Sequence, residues 1–163
     1  MGNHIKQFTA ARPLPDLAAT EALGAQIAAG LAPGEAVALE GDLGAGKTTL
    51  ARAILRALGV TGAVPSPTFT LVQHYETPRL RVSHYDLYRI EDPEELDELG
   101  LDDALNEGAA LIEWPERAGG RLPAATLQVS LEAAGEGRSA QLSGPARWQA
   151  FFPEHAAESP DGR

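Results

Sequence analysis

A glycine-rich segment between two apolar runs is the feature of this 163-residue chain that most restricts its fold. Residues 41–48 have the spacing G-x-x-x-x-G-K-T, which is the P-loop pattern. Apolar residues 36–39 precede the segment as a buried strand would, and leucine and isoleucine recur after it at helical spacing until Gly59. A strand, a loop and a helix in this order predict a phosphate-binding loop.

Each residue type in the loop suits a bound ATP molecule. Backbone N–H groups would surround the β-phosphate, because glycine lets the backbone approach closely. The ammonium of Lys47, expected to be partly exposed on the loop, would bridge the β- and γ-phosphates, and the hydroxyl of Thr48 would bind Mg²⁺. The residues predicted to contact the nucleotide here are Asp42, Leu43, Gly44, Ala45, Gly46, Lys47, Thr48 and Thr49.

Composition restricts the class of protein and its partners. The chain has no cysteine, which excludes disulfides and thiolate metal sites and favours a reducing compartment. No stretch has the length of a membrane span, and residues 1–12 lack the apolar core of a signal peptide. The net charge of −10 opposes direct binding to nucleic acid. We therefore expect a cytoplasmic protein without a membrane partner, with one domain over residues 1–152 and a flexible tail over residues 153–163.

Helices are predicted on both sides of the loop. Asp16 is placed to cap a helix that runs to Gly30, after a short edge strand over residues 5–9 that ends at the prolines 13 and 15. Short helices are predicted over residues 93–99 and 101–105. A last helical stripe that packs on the core is formed by Trp148, Phe151 and Phe152.

The strand pattern predicts the fold class. Residues 109–113 form a continuous apolar run, typical of a central parallel strand. Two antiparallel hairpins are predicted, one from residues 69–75 and 80–86 and the other from residues 126–131 and 138–142. The prediction is an α/β fold of the P-loop NTPase type, a three-layer sandwich with a mostly parallel central sheet and antiparallel hairpins.

Three polar residues outside the loop are candidates for metal binding and catalysis. Asp86 ends a strand, where polar chemistry gathers in open α/β sheets. Glu113 closes the apolar run 109–113 and would hold Mg²⁺ directly or through water, unless it is simply solvated at the strand end. Thr68 lies in the polar segment 66–70, which is either a plain loop or a switch whose threonine faces the γ-phosphate.

The stretch from Glu91 to Glu107 contains nine acidic residues and no basic one. A solvated surface is one explanation for this charge, and a docking face for a basic partner is the other. The sequence leaves both open.

Five blocks in this chain together resemble the bacterial TsaE (YjeE) family, the ATPase component of the machinery that makes threonylcarbamoyladenosine in tRNA. The resemblance covers about residues 15–142. Its blocks are 41–49 (GDLGAGKTT), 66–72 (SPTFTLV), 84–89 (HYDLYR), 92–96 (DPEEL) and 112–116 (IEWPE). The loop alone would be generic, whereas the five blocks in this order are specific.

The resemblance implies a small ATPase that uses Mg²⁺, binds the TsaD–TsaB heterodimer and supports threonylcarbamoyl transfer without performing it. Contact with tRNA would then be indirect. Lys47, Asp86 and Thr68 would serve hydrolysis, and Thr48 and Glu113 would hold Mg²⁺. By the same resemblance, Arg138 matches an arginine close to the nucleotide.

Other classes of protein use the same loop. A stand-alone small-molecule kinase would need a basic lid, for which Arg117 and Arg121 are the local candidates. A nucleotide-binding module without catalysis stays open, because no arginine is recognisable as an arginine finger. A GTPase is disfavoured, since the chain has no Asn-Lys-x-Asp string. An added arginine contributes on the order of 10³–10⁵ in rate, so hydrolysis by the isolated chain is expected to be slow.

Overall fold

The structure is a computed structural model that describes residues 7–42 and 44–153. The tail predicted over residues 153–163 therefore lies outside the described residues except for Pro153. The described strands are β1 (Gln7–Leu14), β2 (Ala36–Glu40), β3 (Val72–Glu76), β4 (Arg81–Asp86), β5 (Gly108–Glu113), β6 (Leu127–Ala134) and β7 (Gly137–Pro145). The helices are α1 (Leu17–Gly30), α2 (Lys47–Ala57), α3 (Glu95–Glu98) and α4 (Leu101–Glu107), with 3₁₀ helices at Pro115–Ala118 and Ala146–Phe151.

All seven strands form one sheet in the order β1-β7-β6-β2-β5-β4-β3. The four central strands β6, β2, β5 and β4 are parallel to one another, and the pairs at both edges are antiparallel. Every residue of β5 is buried, as expected for a parallel strand covered on both faces. The predicted α/β class, with a mostly parallel centre and two antiparallel hairpins, is confirmed.

Helices cover both faces of the sheet. On one face, α1 and α2 pack with Trp148 and Phe152 against apolar side chains of β2, β5 and β6. On the other face, α3 and α4 pack on Tyr85, Ala110 and Ile112. These two cores with the sheet between them make the predicted three-layer sandwich. No helix among the described residues has the length and apolarity to cross a membrane.

Local sequence signals set the position of α1. The Ala19 N–H donates to Oδ1 of Asp16 over 2.9 Å, so Asp16 is the N-cap of α1, as predicted. A Cβ atom at Gly24 would lie 2.6 Å from the Cβ of Ala53, so only glycine permits the observed contact between α1 and α2. Helix α1 ends at Gly30, as predicted.

Several boundaries differ from the prediction. Strand β1 continues through Pro13 to Leu14, because an edge strand pairs on one side only and tolerates the missing N–H of proline; residues 5 and 6 of the predicted strand lie outside the described residues. Helix α3 is shorter than the predicted 93–99, since residues 92–94 form a turn, and α4 extends two residues beyond 105 to Glu107. The first hairpin starts at Val72, because the N–H of Leu71 closes a turn onto the carbonyl of Pro67.

Candidate nucleotide-binding site

The loop between β2 and α2 has a backbone that requires glycine. Gly41 has φ +149°, and a Cβ atom there would lie 2.6 Å from the carbonyl oxygen of Leu131. Gly46 has φ +105° and is the residue from which α2 starts. Free N–H groups at the start of a helix attract anions, so this end of α2 suits a phosphate group. The strand, loop and helix are as predicted, and Leu43 lies outside the described residues.

Lys47 is buried, and the prediction of a partly exposed loop side chain is wrong. It is the first residue of α2 and is only 5 % exposed. Its ammonium donates to the carbonyl oxygens of Gly41 and of Asp42, the latter at 3.0 Å. The same ammonium lies 4.3 Å from the centroid of the Trp114 ring. Trp114 has φ +60° at the end of β5, and this turn of the backbone brings its ring over the lysine.

Thr48 and Glu113 meet at the end of the central sheet. The Thr48 hydroxyl lies 2.9 Å from each carboxylate oxygen of Glu113. Glu113 is only 2 % exposed, which excludes the alternative of a solvated carboxylate at a strand end. The parallel register of β4 and β5 places Asp86 beside it. Two carboxylates therefore stand next to the start of α2.

Asp86 is held at the end of β4 by two hydrogen bonds. Its Oδ1 accepts the N–H of Tyr88 at 3.0 Å, and its Oδ2 accepts a long bond of 3.5 Å from the hydroxyl of Thr68. Burial raises the pKa of the Asp86 carboxyl above its usual range; the Tyr88 N–H opposes that shift, and the charge of Glu113 adds to it. Thr68 also bonds Ser66 at 2.8 Å within its own loop, and the long bond from Thr68 to Asp86 links this loop to the carboxylate.

These side chains line one cleft of about 300 Å³. The predicted site residues that it brings together are Gly44, Gly46, Lys47, Thr48, Thr49, Thr68, Asp86, Glu113 and Arg138. Of the other predicted residues, Asp42 contributes its carbonyl to Lys47, and Ala45 lines a neighbouring groove of about 240 Å³. Gly46, Thr49 and Arg138 belong to both the cleft and the groove, so the two are continuous.

Among the described residues, no group compensates the positive charge that Arg138 brings to the cleft. Its Nε is buried without a hydrogen-bond partner among the described residues, and its Nη1 makes only a long bond of 3.4 Å to the carbonyl of Gly137. The Nε would lie 3.5 Å from a Cβ atom at Gly46, which places the guanidinium against the loop. No carboxylate in the described ranges forms an ion pair with it. An unpaired guanidinium beside a helix start is well suited to a phosphate oxygen.

Two residues at the site were not predicted to act there. His84 Nε2 lies 2.8 Å from Oε2 of Glu113, with both side chains almost fully buried. Trp114 covers Lys47 and lies 4.8 Å from Tyr88, measured between ring centroids. His84 lies on an alternating strand and in the resemblance block 84–89, but neither signal gave this histidine a role at the site. Trp114 belongs to a block of the resemblance, but nothing predicted that its ring would turn over the loop.

Metal binding here would need more than side chains. Over residues 7–42 and 44–153, no three His, Cys, Asp or Glu side chains are grouped so as to hold a metal ion. A divalent cation near Thr48 and Glu113 would therefore take most of its ligands from water or from a bound phosphate group. Mg²⁺ commonly binds in this way, through one or two protein ligands and the substrate phosphates.

Comparison with known proteins identifies the family. The family model described as threonylcarbamoyl adenosine biosynthesis protein TsaE matches residues 14–140. The chain belongs to the TsaE family. A TsaE relative from Haemophilus influenzae, named tRNA threonylcarbamoyladenosine biosynthesis protein TsaE, is 46 % identical over 107 residues, which cover 65 % of this chain and 68 % of the relative. A Bacillus subtilis relative with the same name is 42 % identical over 118 residues, 72 % of this chain and 73 % of its own.

A solved structure supports the fold of this TsaE family member. The crystal structure of Bacillus subtilis YdiB superposes with a TM-score of 0.73 at 29 % identity, covering 95 % of this chain and 97 % of that one. Four of the five blocks that resemble TsaE supply residues to the cleft. They contribute Gly46, Lys47 and Thr48, Ser66 and Thr68, Asp86, and Glu113 with Trp114.

Proposed function

We propose that this chain is an ATP-binding and ATP-hydrolysing subunit required for threonylcarbamoyladenosine modification of tRNA. Membership of the TsaE family supports the pathway. The ATPase activity rests on one observation, the convergence of Lys47, Thr48, Thr68, Asp86 and Glu113 in a single cleft at the start of α2. In this proposal the chain acts through the TsaD–TsaB heterodimer and contacts tRNA only indirectly.

The residues present fit a nucleotide with Mg²⁺. The Nε of Arg138, which has no hydrogen-bond partner among the described residues, lies against Gly46 at the start of α2, as expected for a cradle that holds an anion. Bound Mg²⁺ would neutralise phosphate charge, and ATP would supply the phosphoryl group that water removes. The groove bordered by Thr49 and Arg138 continues from the cleft and would take the nucleoside.

Each catalytic side chain has a role that its contacts permit. Two donors of the Lys47 ammonium bond the carbonyls of Gly41 and Asp42, and the third would meet the phosphates. Thr48 donates its hydroxyl proton to Glu113 and so leaves its oxygen lone pairs for a cation. Asp86, bonded to Thr68 beside the cleft, would orient the attacking water.

A small-molecule kinase fits the cleft less well. The two arginines that would form a basic lid are engaged elsewhere: Arg117 donates to the carbonyl of Ile90 at 3.1 Å, and Arg121 pairs with Asp97 at 2.6 Å. Neither lines the cleft. The proposal of an ATPase needs no such lid, because its phosphoryl acceptor is water.

The proposed partner contact lies next to the cleft. Phe69 follows Thr68 and is 83 % exposed, with the Arg89 guanidinium 5.4 Å from its ring centroid. Exposed aromatic residues and arginine are enriched at protein interfaces. A nucleotide that orders Thr68 would therefore change the surface that the heterodimer meets. The acidic stretch 91–107 is a second candidate contact for basic groups of the partner.

A binding titration tests the proposal. Labelled protein is titrated with the TsaD–TsaB heterodimer at fixed salt, with and without ATP and Mg²⁺. We expect tighter binding with ATP, and a Thr68→Ala variant should lose much of that difference because its hydroxyl no longer links the loop to Asp86. Equal affinities of the wild-type protein under both conditions would contradict a nucleotide-controlled contact.

A further inference from the structure

His84 is a buried polar side chain to which neither the proposed function nor the family match gives a role. It lies on β4, two residues before Asp86, and is 0 % exposed. Val82, two residues before it on the same strand face, packs into the apolar core. His84 therefore occupies a buried position where an apolar side chain would lose less free energy of hydration than a histidine does.

Among the described residues, the His84 ring is hydrogen-bonded to one partner. Nε2 lies 2.8 Å from Oε2 of Glu113, while Nδ1 is buried without a partner among the described residues. A carboxylate only accepts hydrogen bonds, so we place the ring proton on Nε2, from which it is donated to Glu113. Of the two hydrogen bonds that the His84 ring could form, the bond to the Glu113 carboxylate is the one present among the described residues.

The carboxylate links two elements to β5. Its Oε2 accepts from both His84 on β4 and Thr48 on α2, and its Oε1 accepts from Thr48 alone. A glutamate side chain has three rotatable bonds, and these contacts fix its end from two sides. Without the His84 contact, the Thr48 hydroxyl would be the one side-chain donor to Glu113 left among the described residues.

We propose that His84 is a positioning residue for the divalent cation that accompanies the nucleotide. By holding Glu113 in place, His84 keeps the proton of Thr48 directed at the carboxylate and the lone pairs of that hydroxyl available to the cation. Groups that orient metal ligands in this way typically change metal affinity about 10- to 100-fold when removed. The inference rests on the proposed nucleotide site.

Three variants separate the hydrogen bond from packing. His84→Gln places an amide N–H near the position of Nε2, whereas His84→Asn carries its amide where Nδ1 lies and cannot reach Glu113. His84→Leu fills the space without a donor. The probe is a fluorescent ATP analogue, whose affinity is measured in EDTA and over a range of Mg²⁺ concentrations, after thermal unfolding shows which variants are folded.

The expected result is a selective loss of the Mg²⁺ effect. His84→Leu and His84→Asn should need about 10- to 100-fold more Mg²⁺ for the half-maximal effect, with unchanged affinity in EDTA, and His84→Gln should restore most of the loss. Should His84→Leu not fold, the Asn and Gln variants decide the question. Wild-type Mg²⁺ dependence in His84→Asn, or a Gln variant as impaired as Asn, would overturn the proposal. A wild-type protein that does not bind the analogue would instead refute the nucleotide site itself.

Discussion

Replacing Lys47 with methionine tests the contribution of its ammonium to the proposed nucleotide binding. Methionine keeps an unbranched apolar stem in the buried position that Lys47 occupies. The ammonium has three N–H donors; the carbonyls of Gly41 and Asp42 take two of them, and Trp114 covers its side. One donor is therefore available to a phosphate oxygen without any rearrangement.

The magnitude follows from that single donor. A hydrogen bond to a charged group contributes about 1.5–3 kcal/mol, so the Lys47→Met protein should bind ATP about 10- to 150-fold more weakly. Release of a second donor from a loop carbonyl would place the loss at the upper end of this range. In the variant, the carbonyls of Gly41 and Asp42 lose their donor, which lowers the stability of the loop. This loss is offset in part, because no ammonium has to be desolvated when the protein folds.

The assay is direct titration of the protein with ATP in the presence of Mg²⁺, together with thermal unfolding. Arg56→Met is the matched control. Arg56 is a cation at the far end of the same helix, where its guanidinium bonds the carbonyls of Val60 and Gly62. It does not line the cleft. The Arg56→Met protein should bind ATP as the wild type does. A folded Lys47→Met protein with an affinity within twofold of the wild type would refute the role of the lysine.

Four further substitutions test the site. Glu113→Ala should lower the Mg²⁺-dependent affinity for ATP as well as the rate, whereas Asp86→Ala should reduce hydrolysis more than binding; the opposite pattern would exchange their roles. Burial raises the pKa of Asp86, because it disfavours the ionised carboxylate in the folded protein. The contribution of Asp86 to the free energy of unfolding is therefore most favourable below the unfolded pKa of about 4, and it is lost as the pH rises through the folded pKa. Asp86→Asn should therefore unfold at a higher temperature than the wild type at pH 7, and this difference should vanish in acid. Gly41→Ala, at φ +149° and against the Leu131 carbonyl, should lower the free energy of unfolding by about 1–3 kcal/mol in a denaturant titration.

The sequence was informative where the signal was local. The loop at 41–48, the central strand ending at Glu113 and the cap at Asp16 each depend on residues close together in the chain, and the structure has all three elements. Period-two alternation also placed the faces of β4 correctly, since Val82 and Tyr85 pack into opposite cores.

Contacts between segments that are distant in the chain could not be predicted from the sequence. His84 meets Glu113 only because β4 and β5 are parallel in a register that no short pattern encodes. The burial of Lys47 depends on the backbone turn at Trp114, which lies 67 positions later in the chain. The length of β1 was underestimated because the tolerance for Pro13 depends on its place at the sheet edge.

The proposed function is ATP hydrolysis in the cleft, controlled by a protein partner. Its most direct test is the ATP turnover of the purified chain, measured alone and with the TsaD–TsaB heterodimer, with Lys47→Met as the inactive reference. We predict slow turnover alone and a large increase with the heterodimer, because the partner would complete the site. A rate that the heterodimer does not change, or fast phosphoryl transfer to a metabolite in its absence, would contradict the account.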